Sequence, residues 1–321
     1  MIAVCWLRSR AQAAAAVCLI AVLAVVTAAT GHNHGSLRLW LGVLVAVVPA
    51  IIGMFWGAPL VASELEDGTF RLAWTQSVTR TRWLAVRLAA AGLASMSTAG
   101  LVSLLVTWWA SPLDQAGLSR YATFDQRDIV PIGYAAFALV LGVTAGTVLR
   151  RTRPAMVFTL VAFIAARMAV TYWVRPRLLS PLALTRPADV VGYGSGGFLP
   201  FSVTGPRLQF QPPSLPNAWI TSMSLAGKRG RGPSAAELAR ICPSLGQGSP
   251  GHHRLSHTRA PASAARALHE CGARLSTMYH EAVSYQPASH YWPLQWYELA
   301  AFMAAALMLG GLALWQIRHI N

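Results

Sequence analysis

The sequence predicts an all-α integral membrane protein with six transmembrane helices and a large loop-rich extracellular region between helices five and six. Of its 321 residues, 55% are hydrophobic and 12% are charged, against roughly 25% charge in ordinary soluble domains. The apolar residues gather into runs near 20 residues long, the length that crosses about 30 Å of hydrocarbon. These runs are continuous and lack the alternation of barrel strands, so helices are implied. So apolar a chain is not disordered. Its formal net charge of +15 raises the question of nucleic acid, but the basic residues lie between apolar segments rather than on a soluble basic module, and no nucleic-acid partner is expected.

The six expected spans fall near 11–29, 39–62, 84–110, 130–149, 154–174 and 294–317. Arg8 and Arg10 before an alanine-rich stretch resemble a secretory signal, but five later spans favour an anchor. Short loops set orientation. Arg8, Arg10, Arg71, Arg80, Arg82, Arg87, Arg150, Arg151, Arg153 and Arg318 lie on one side, against Arg38, Arg120 and Arg127 on the other. Both termini are therefore expected to be cytoplasmic, in a bacterial plasma membrane protein surrounded by lipid. Trp40, Trp108, Trp109, Trp173, Trp292 and Trp296 at outer span ends, with Trp6, Trp83 and Trp315 at inner ones, fit interfacial belts. The domain reading is residues 1–174 for spans one to five with a cytoplasmic loop at 63–83, 175–293 for the extracellular region, and 294–321 for span six and a cytoplasmic tail.

The outer region holds most of the prolines and six of the nine histidines. Ser234 and Glu237 have capping-box spacing, and Leu268, Cys271, Leu275, Met278 and Ala282 recur at three and four steps, so two short amphipathic helices are expected. Cys242 and Cys271 lie on the oxidising side and are expected to form a disulfide; two buried free thiols are the alternative. His252, His253, His257, His269 and His280 invite a zinc reading, yet neither His-Glu pair continues as H-E-x-x-H. No metal site is expected. Phosphate-loop and nucleophile-elbow motifs are also absent, so no catalytic residue or cofactor is assigned to this chain and no enzyme activity is expected of it.

The loop after the second span, SELEDGTFRLAWTQSVTRTRW, is the most unusual segment. Glu64, Glu66 and Asp67 precede Gly68 and Thr69, and a helix-compatible run with Phe70, Leu72 and Trp74 follows. A short helix there, with acids at its positive dipole end and exposed aromatic anchors, can transmit force from a soluble partner to the spans. An interfacial loop resting in headgroups satisfies the same residues.

Residues 55–89 (FWGAPLVASELEDGTFRLAWTQSVTRTRWLAVRLA), 130–146 (VPIGYAAFALVLGVTAG) and 285–298 (YQPASHYWPLQWYE) together resemble the permease subunits of actinobacterial ATP-binding cassette (ABC) exporters. In that family the first cytoplasmic loop carries an E-x-x-G-T element and the coupling helix. The resemblance implies that Glu64, Glu66, Gly68, Thr69, Phe70, Leu72 and Trp74 couple to the ATP-binding subunit. It also implies a second permease copy or paralogue and two ATP-binding subunits, with ATP and Mg bound on those partners.

Ionisable groups inside spans are functional candidates. Arg167, deep in span five, either lines a translocation path or snorkels to the headgroups. Glu298, at the outer start of span six, either gates the outer vestibule or meets water. Gly142 and Gly146 form a small-x-x-x-small pair suited to helix packing. Two other classes remain open beside the permease: a membrane-anchored hydrolase using outer His and Glu residues, and a membrane scaffold or sensor.

Overall fold

The computed structural model describes residues 35–66, 79–115, 120–187, 190–193, 208–210, 215–227, 231–241 and 262–319. The chain divides into two compact units, Met1–Ser180 with Ala288–Asn321, and Pro181–Pro287.

The first unit is helical. Helix α1 (Gly35–Ile52) contains Pro49 and opens into a π turn at Gly53–Gly57, from which α2 (Ala58–Glu66) continues. Helix α3 (Arg80–Gln115) has 36 residues, about 54 Å at 1.5 Å per residue, so it outruns the hydrocarbon core. A 3₁₀ segment (Arg120–Gln126) leads into α4 (Val130–Leu149), and a sharp turn leads into α5 (Thr152–Ala169). A second π turn (Val170–Val174) and a single turn, α6 (Arg175–Leu178), extend α5. Among the described residues five helical segments are long and apolar enough to cross a membrane: Val45–Glu66, Thr81–Ser111, Arg120–Leu149, Thr152–Leu178 and Ala288–Arg318. The expected first span, 11–29, lies outside the described residues.

Helix α4 is the axis of this unit, because its apolar residues run all round rather than along one stripe. That pattern suits a helix surrounded by others, and α4 is buried from Val130 to Thr147 with few breaks. The Gly142/Gly146 notch is occupied by the backbone of the Gly53–Gly57 turn and the start of α2. A Cβ on Gly142 would sit 2.3 Å from the Gly53 carbonyl oxygen and 2.7 Å from the Ala58 nitrogen; one on Gly146 would sit 2.7 Å from the Ala58 carbonyl oxygen. On the facing side, a Cβ on Gly57 would meet the Leu139 carbonyl oxygen at 2.4 Å. Small residues at four-residue spacing on both partners thus bring two backbones into contact, the close approach that helix pairs in lipid exploit. The last helix, numbered below, packs on another face of α4, where Tyr134 and Phe137 meet Phe302 edge-on at 4.8 and 5.2 Å between centroids.

The second unit contains structure that helical patterning did not reveal. Strands β1 (Leu182–Pro187), β4 (Trp219–Gly227) and β5 (Tyr279–Gln286) form an antiparallel sheet in the order β1-β5-β4, while β2 (Val190–Tyr193) pairs with β3 (Leu208–Phe210). Helix α7 (Ala235–Ile241) and helix α8 (Ala262–Met278) are the two expected short helices. The capping box is formed: the Glu237 backbone N–H donates to Ser234 Oγ at 3.2 Å, and the Ser234 N–H donates to Glu237 Oε2 at 2.8 Å. The apolar seam read through Ala282 ends sooner, because α8 stops at Met278 and Ala282 belongs to β5. The segment YHEAVSYQ buries Glu281, Val283 and Gln286 as a strand does. Glu281 is directly opposite Arg186 in the β1/β5 register and accepts its Nε–H at 2.8 Å, so the buried acid is paired.

Helix α9 (Tyr291–Arg318) returns to the first unit after a 3₁₀ turn at Ala288–His290.

Candidate functional site

Charged and polar side chains collect at the end of the first unit where α3 stops, α4 and α9 start, and α5 runs into α6. Among the described residues they form two connected knots. In one, Arg175 of α6 donates from Nε to Glu298 Oε2 at 2.8 Å and from Nη2 to Glu298 Oε1 at 2.9 Å, and it also pairs with Asp125. The Tyr134 hydroxyl lies within hydrogen-bonding reach of Glu298 and, at 3.1 Å, of Asp125. Arg167 places its guanidinium 3.8 Å above the Tyr134 ring and 3.6 Å from Asp125. Its Nη1 is buried without a hydrogen-bond partner among the described residues.

In the second knot, Arg127 binds Asp114 through parallel bonds of 3.0 and 2.7 Å, and its Nε lies 3.4 Å from Asp128. Arg120 approaches Asp114 at 3.4 Å and the Tyr291 ring at 5.1 Å. Tyr291 donates its hydroxyl to Asp128. Asp128 itself adopts a left-handed conformation (φ 63°), which a short polar side chain tolerates. Gln295 joins the second knot to the backbone beside it: its Nε2 donates to the Tyr291 hydroxyl at 3.3 Å and the Phe124 carbonyl at 3.1 Å, and its Oε1 accepts the Val130 N–H at 3.1 Å, a donor that the start of α4 otherwise leaves open.

The charges balance. Asp114, Asp125, Asp128 and Glu298 face Arg120, Arg127, Arg167 and Arg175, and every member has an opposite charge or a ring face within reach. Removing ions from water costs several kcal/mol each unless paired and hydrogen bonded, and this pairing lets Arg127, Arg175 and Glu298 be almost wholly buried. The arrangement joins the start of α9, the start of α4 and the end of α5 by directional bonds. It is a clamp in which each acid has an arginine partner and each arginine an acid.

The two intramembrane residues singled out from the sequence, Arg167 and Glu298, thus belong to one cluster around Tyr134 and Asp125. Glu298 is 1% exposed and does not meet water here. Asp125, Arg175, Asp114, Arg127 and Gln295 were not anticipated, because each stands at a helix end, where charged and polar residues are ordinary.

At the opposite end, Glu64 pairs with Arg87 across α2 and α3, and the Glu66 Oε2 accepts the Thr152 backbone N–H at 3.0 Å. Thr152 begins α5, so Glu66 caps another helix from outside it, where a carboxylate is favoured by the helix dipole. Gly68, Thr69, Phe70, Leu72 and Trp74 lie outside the described residues. In the second unit Cys271 is buried, and Cys242 lies outside the described residues. Of the histidines considered for zinc, His252, His253 and His257 lie outside the described residues, and His280 is exposed on β5.

Among the described residues, five long apolar helical segments, α4 and four others, mark a multi-pass helical membrane protein. The family model for "ABC-2 membrane transporter related" proteins matches residues 3–175, more than half of the chain, and the chain belongs to that family. Membership supports an ABC-2-type transporter permease subunit, working with ATP-binding subunits and not itself a catalytic enzyme. No curated protein and no solved structure matches the chain.

Proposed function

We propose that this chain is the permease subunit of an ABC exporter, in a bacterial plasma membrane with both termini in the cytoplasm. The observation that carries the reading is the family match over residues 3–175. Six spans are proposed, with 11–29 as the first and the region 175–293 outside the cell. Loop 63–83 receives the ATP-binding subunit through Phe70, Leu72 and Trp74. Two such subunits, holding ATP and Mg, serve this chain and a second permease copy or paralogue. Force entering the loop reaches α5 through Glu66, whose carboxylate lies on the first backbone N–H of that helix. It reaches α3 through the Glu64 to Arg87 pair.

The translocation path is assigned to the region of Arg167 and Glu298, on the state in which the clamp opens. Parting α5 and α6 from both α4 and α9 takes Arg175 off Glu298 and Arg167 off the Tyr134 ring, so a passing substrate meets both charges. The experiment is co-expression with candidate ATP-binding subunits, followed by reconstitution into proteoliposomes. The reading expects stoichiometric co-purification and ATP hydrolysis coupled to movement of solute. A chain that assembles with no ATP-binding partner under these conditions overturns it.

A further inference from the structure

Three spans end together at the α4–α5 turn: Val45–Glu66, Arg120–Leu149 and Thr152–Leu178. Between their ends lies an open cleft of about 650 Å³ lined by Leu65, Glu66, Arg150, Arg151, Arg153 and Pro154. Arg150 takes a left-handed conformation (φ 53°) and Arg151 an extended one (φ −136°, ψ 131°), which lets the chain reverse between α4 and α5 within two residues. All three arginines are exposed, and none of their guanidinium groups makes an ion pair or hydrogen bond among the described residues. Glu66, the one acid among the described residues lining the cleft, already accepts the Thr152 N–H. Three cations therefore face one engaged carboxylate. That contrasts with the opposite end of the unit, where four acids and four arginines neutralise one another.

The apolar surroundings narrow the kind of anion that suits these arginines. Beyond the cleft, Val148, Leu149, Val157, Phe158 and Val161 are exposed, between 39% and 62% each. Pro154, Val157 or Phe158, and Val161 follow one another at three- and four-residue steps, so they form one strip along α5 leading away from the arginines. A soluble anion has no use for such a strip. An amphiphile with a phosphate at one end fits both parts, and the ends of apolar spans are the depth at which headgroups lie. Arginine forks also match phosphate oxygens in pairs.

We propose that this cleft binds the headgroup of one anionic phospholipid, with its phosphate among Arg150, Arg151 and Arg153 and its acyl chains along the α5 strip. The inference requires a membrane protein but not transport, so it stands or falls apart from the function proposed above. The test is native mass spectrometry of the full chain in detergent, delipidated and then titrated with phosphatidylglycerol, phosphatidylcholine or inorganic phosphate. Wild type is expected to retain one phosphatidylglycerol with about tenfold preference over phosphatidylcholine, equivalent to about 1.4 kcal/mol. Arg151→Gln with Arg153→Gln should remove that preference, and Arg151→Lys with Arg153→Lys should keep most of it. Equal retention of the two lipids by wild type overturns the proposal whatever the variants do. Displacement of the lipid by equimolar inorganic phosphate also overturns it, marking a site for a free anion. So does a Gln variant that holds phosphatidylglycerol with the wild-type preference.

Discussion

Arg175 grips Glu298 with two parallel hydrogen bonds, 2.8 and 2.9 Å long, between residues 123 positions apart in the chain. Both side chains are almost completely buried. Breaking such a pair from one side leaves a bare buried charge, at about 3 to 5 kcal/mol. Arg175→Ala and Glu298→Ala are each expected to lower the thermal midpoint of the detergent-solubilised protein sharply. Replacing both, as Arg175→Met with Glu298→Leu, should cost less than either Ala variant. Double-variant losses equal to the sum of the singles would show that the two residues act independently.

Gly142 faces the Gly53 carbonyl, with no room for a methyl group. Gly142→Ala must push two backbones apart, and overpacking of this kind costs about 1 to 3 kcal/mol. Gly92, on α3, has nothing within 4 Å of its would-be Cβ. Gly92→Ala should therefore be neutral or slightly stabilising, by up to about 1 kcal/mol. Thermal melts of the two variants side by side decide the point, and equal destabilisation would refute the crossing.

Glu66 and Trp74 are expected to separate two parts of coupling. Glu66→Ala opens the Thr152 N–H, a helix-cap loss of about 1 kcal/mol, and should leave the ATP-binding subunit bound while transport-linked hydrolysis falls. Trp74→Ala should instead weaken assembly, since interface anchors carry about 2 kcal/mol or more. Pull-down and hydrolysis assays on both variants test the division. Unchanged assembly and unchanged coupled hydrolysis for Trp74→Ala would remove that residue from the interface.

Helix α7 should loosen in acid. The backbone and hydroxyl hydrogen bonds from Ser234 hold the Glu237 carboxyl below its ordinary range. A carboxylate depressed on folding stabilises the helix fully above its unfolded value and loses that contribution as pH falls through the folded one. Amide exchange at Ala235–Ile241, corrected for its intrinsic pH dependence, should show falling protection as pH drops below 4.5. Glu237→Gln should flatten that dependence.

Cys242 and Cys271 are proposed to be bridged. The closed loop of about 30 residues is worth roughly 3 to 4 kcal/mol on a chain-entropy account. Mass spectrometry of peptides from the non-reduced protein should find the linked pair. Alkylation of both thiols without prior reduction would exclude it.

The long helices were legible because an apolar run of span length has few other uses in a sequence. The capping box at Ser234 and Glu237 and the notch at Gly142 and Gly146 were legible for a related reason, since each is a local pattern at fixed spacing. What the notch receives was not: Gly53 and Gly57 contact it from almost 90 residues away. Arg167 and Glu298 were visible as charges in apolar surroundings, but their partners Asp125 and Arg175 stand at helix ends and carry no mark of burial. Strand β5 was misread at Ala282, because a single apolar residue four steps after Met278 fits a helix seam as well as a pleat.

The crossing of α4 over the Gly53–Gly57 turn is a bare seam, backbone on backbone, with no side chain to hold the two elements apart. Interlocked side chains resist sliding because each knob must climb out of its hole, whereas carbonyls lying against glycine Cα atoms present no teeth. That seam is framed by apolar side chains: Val48 and Ile52 share one cluster with Ala135 and Leu139, and Val61 shares another with Val143.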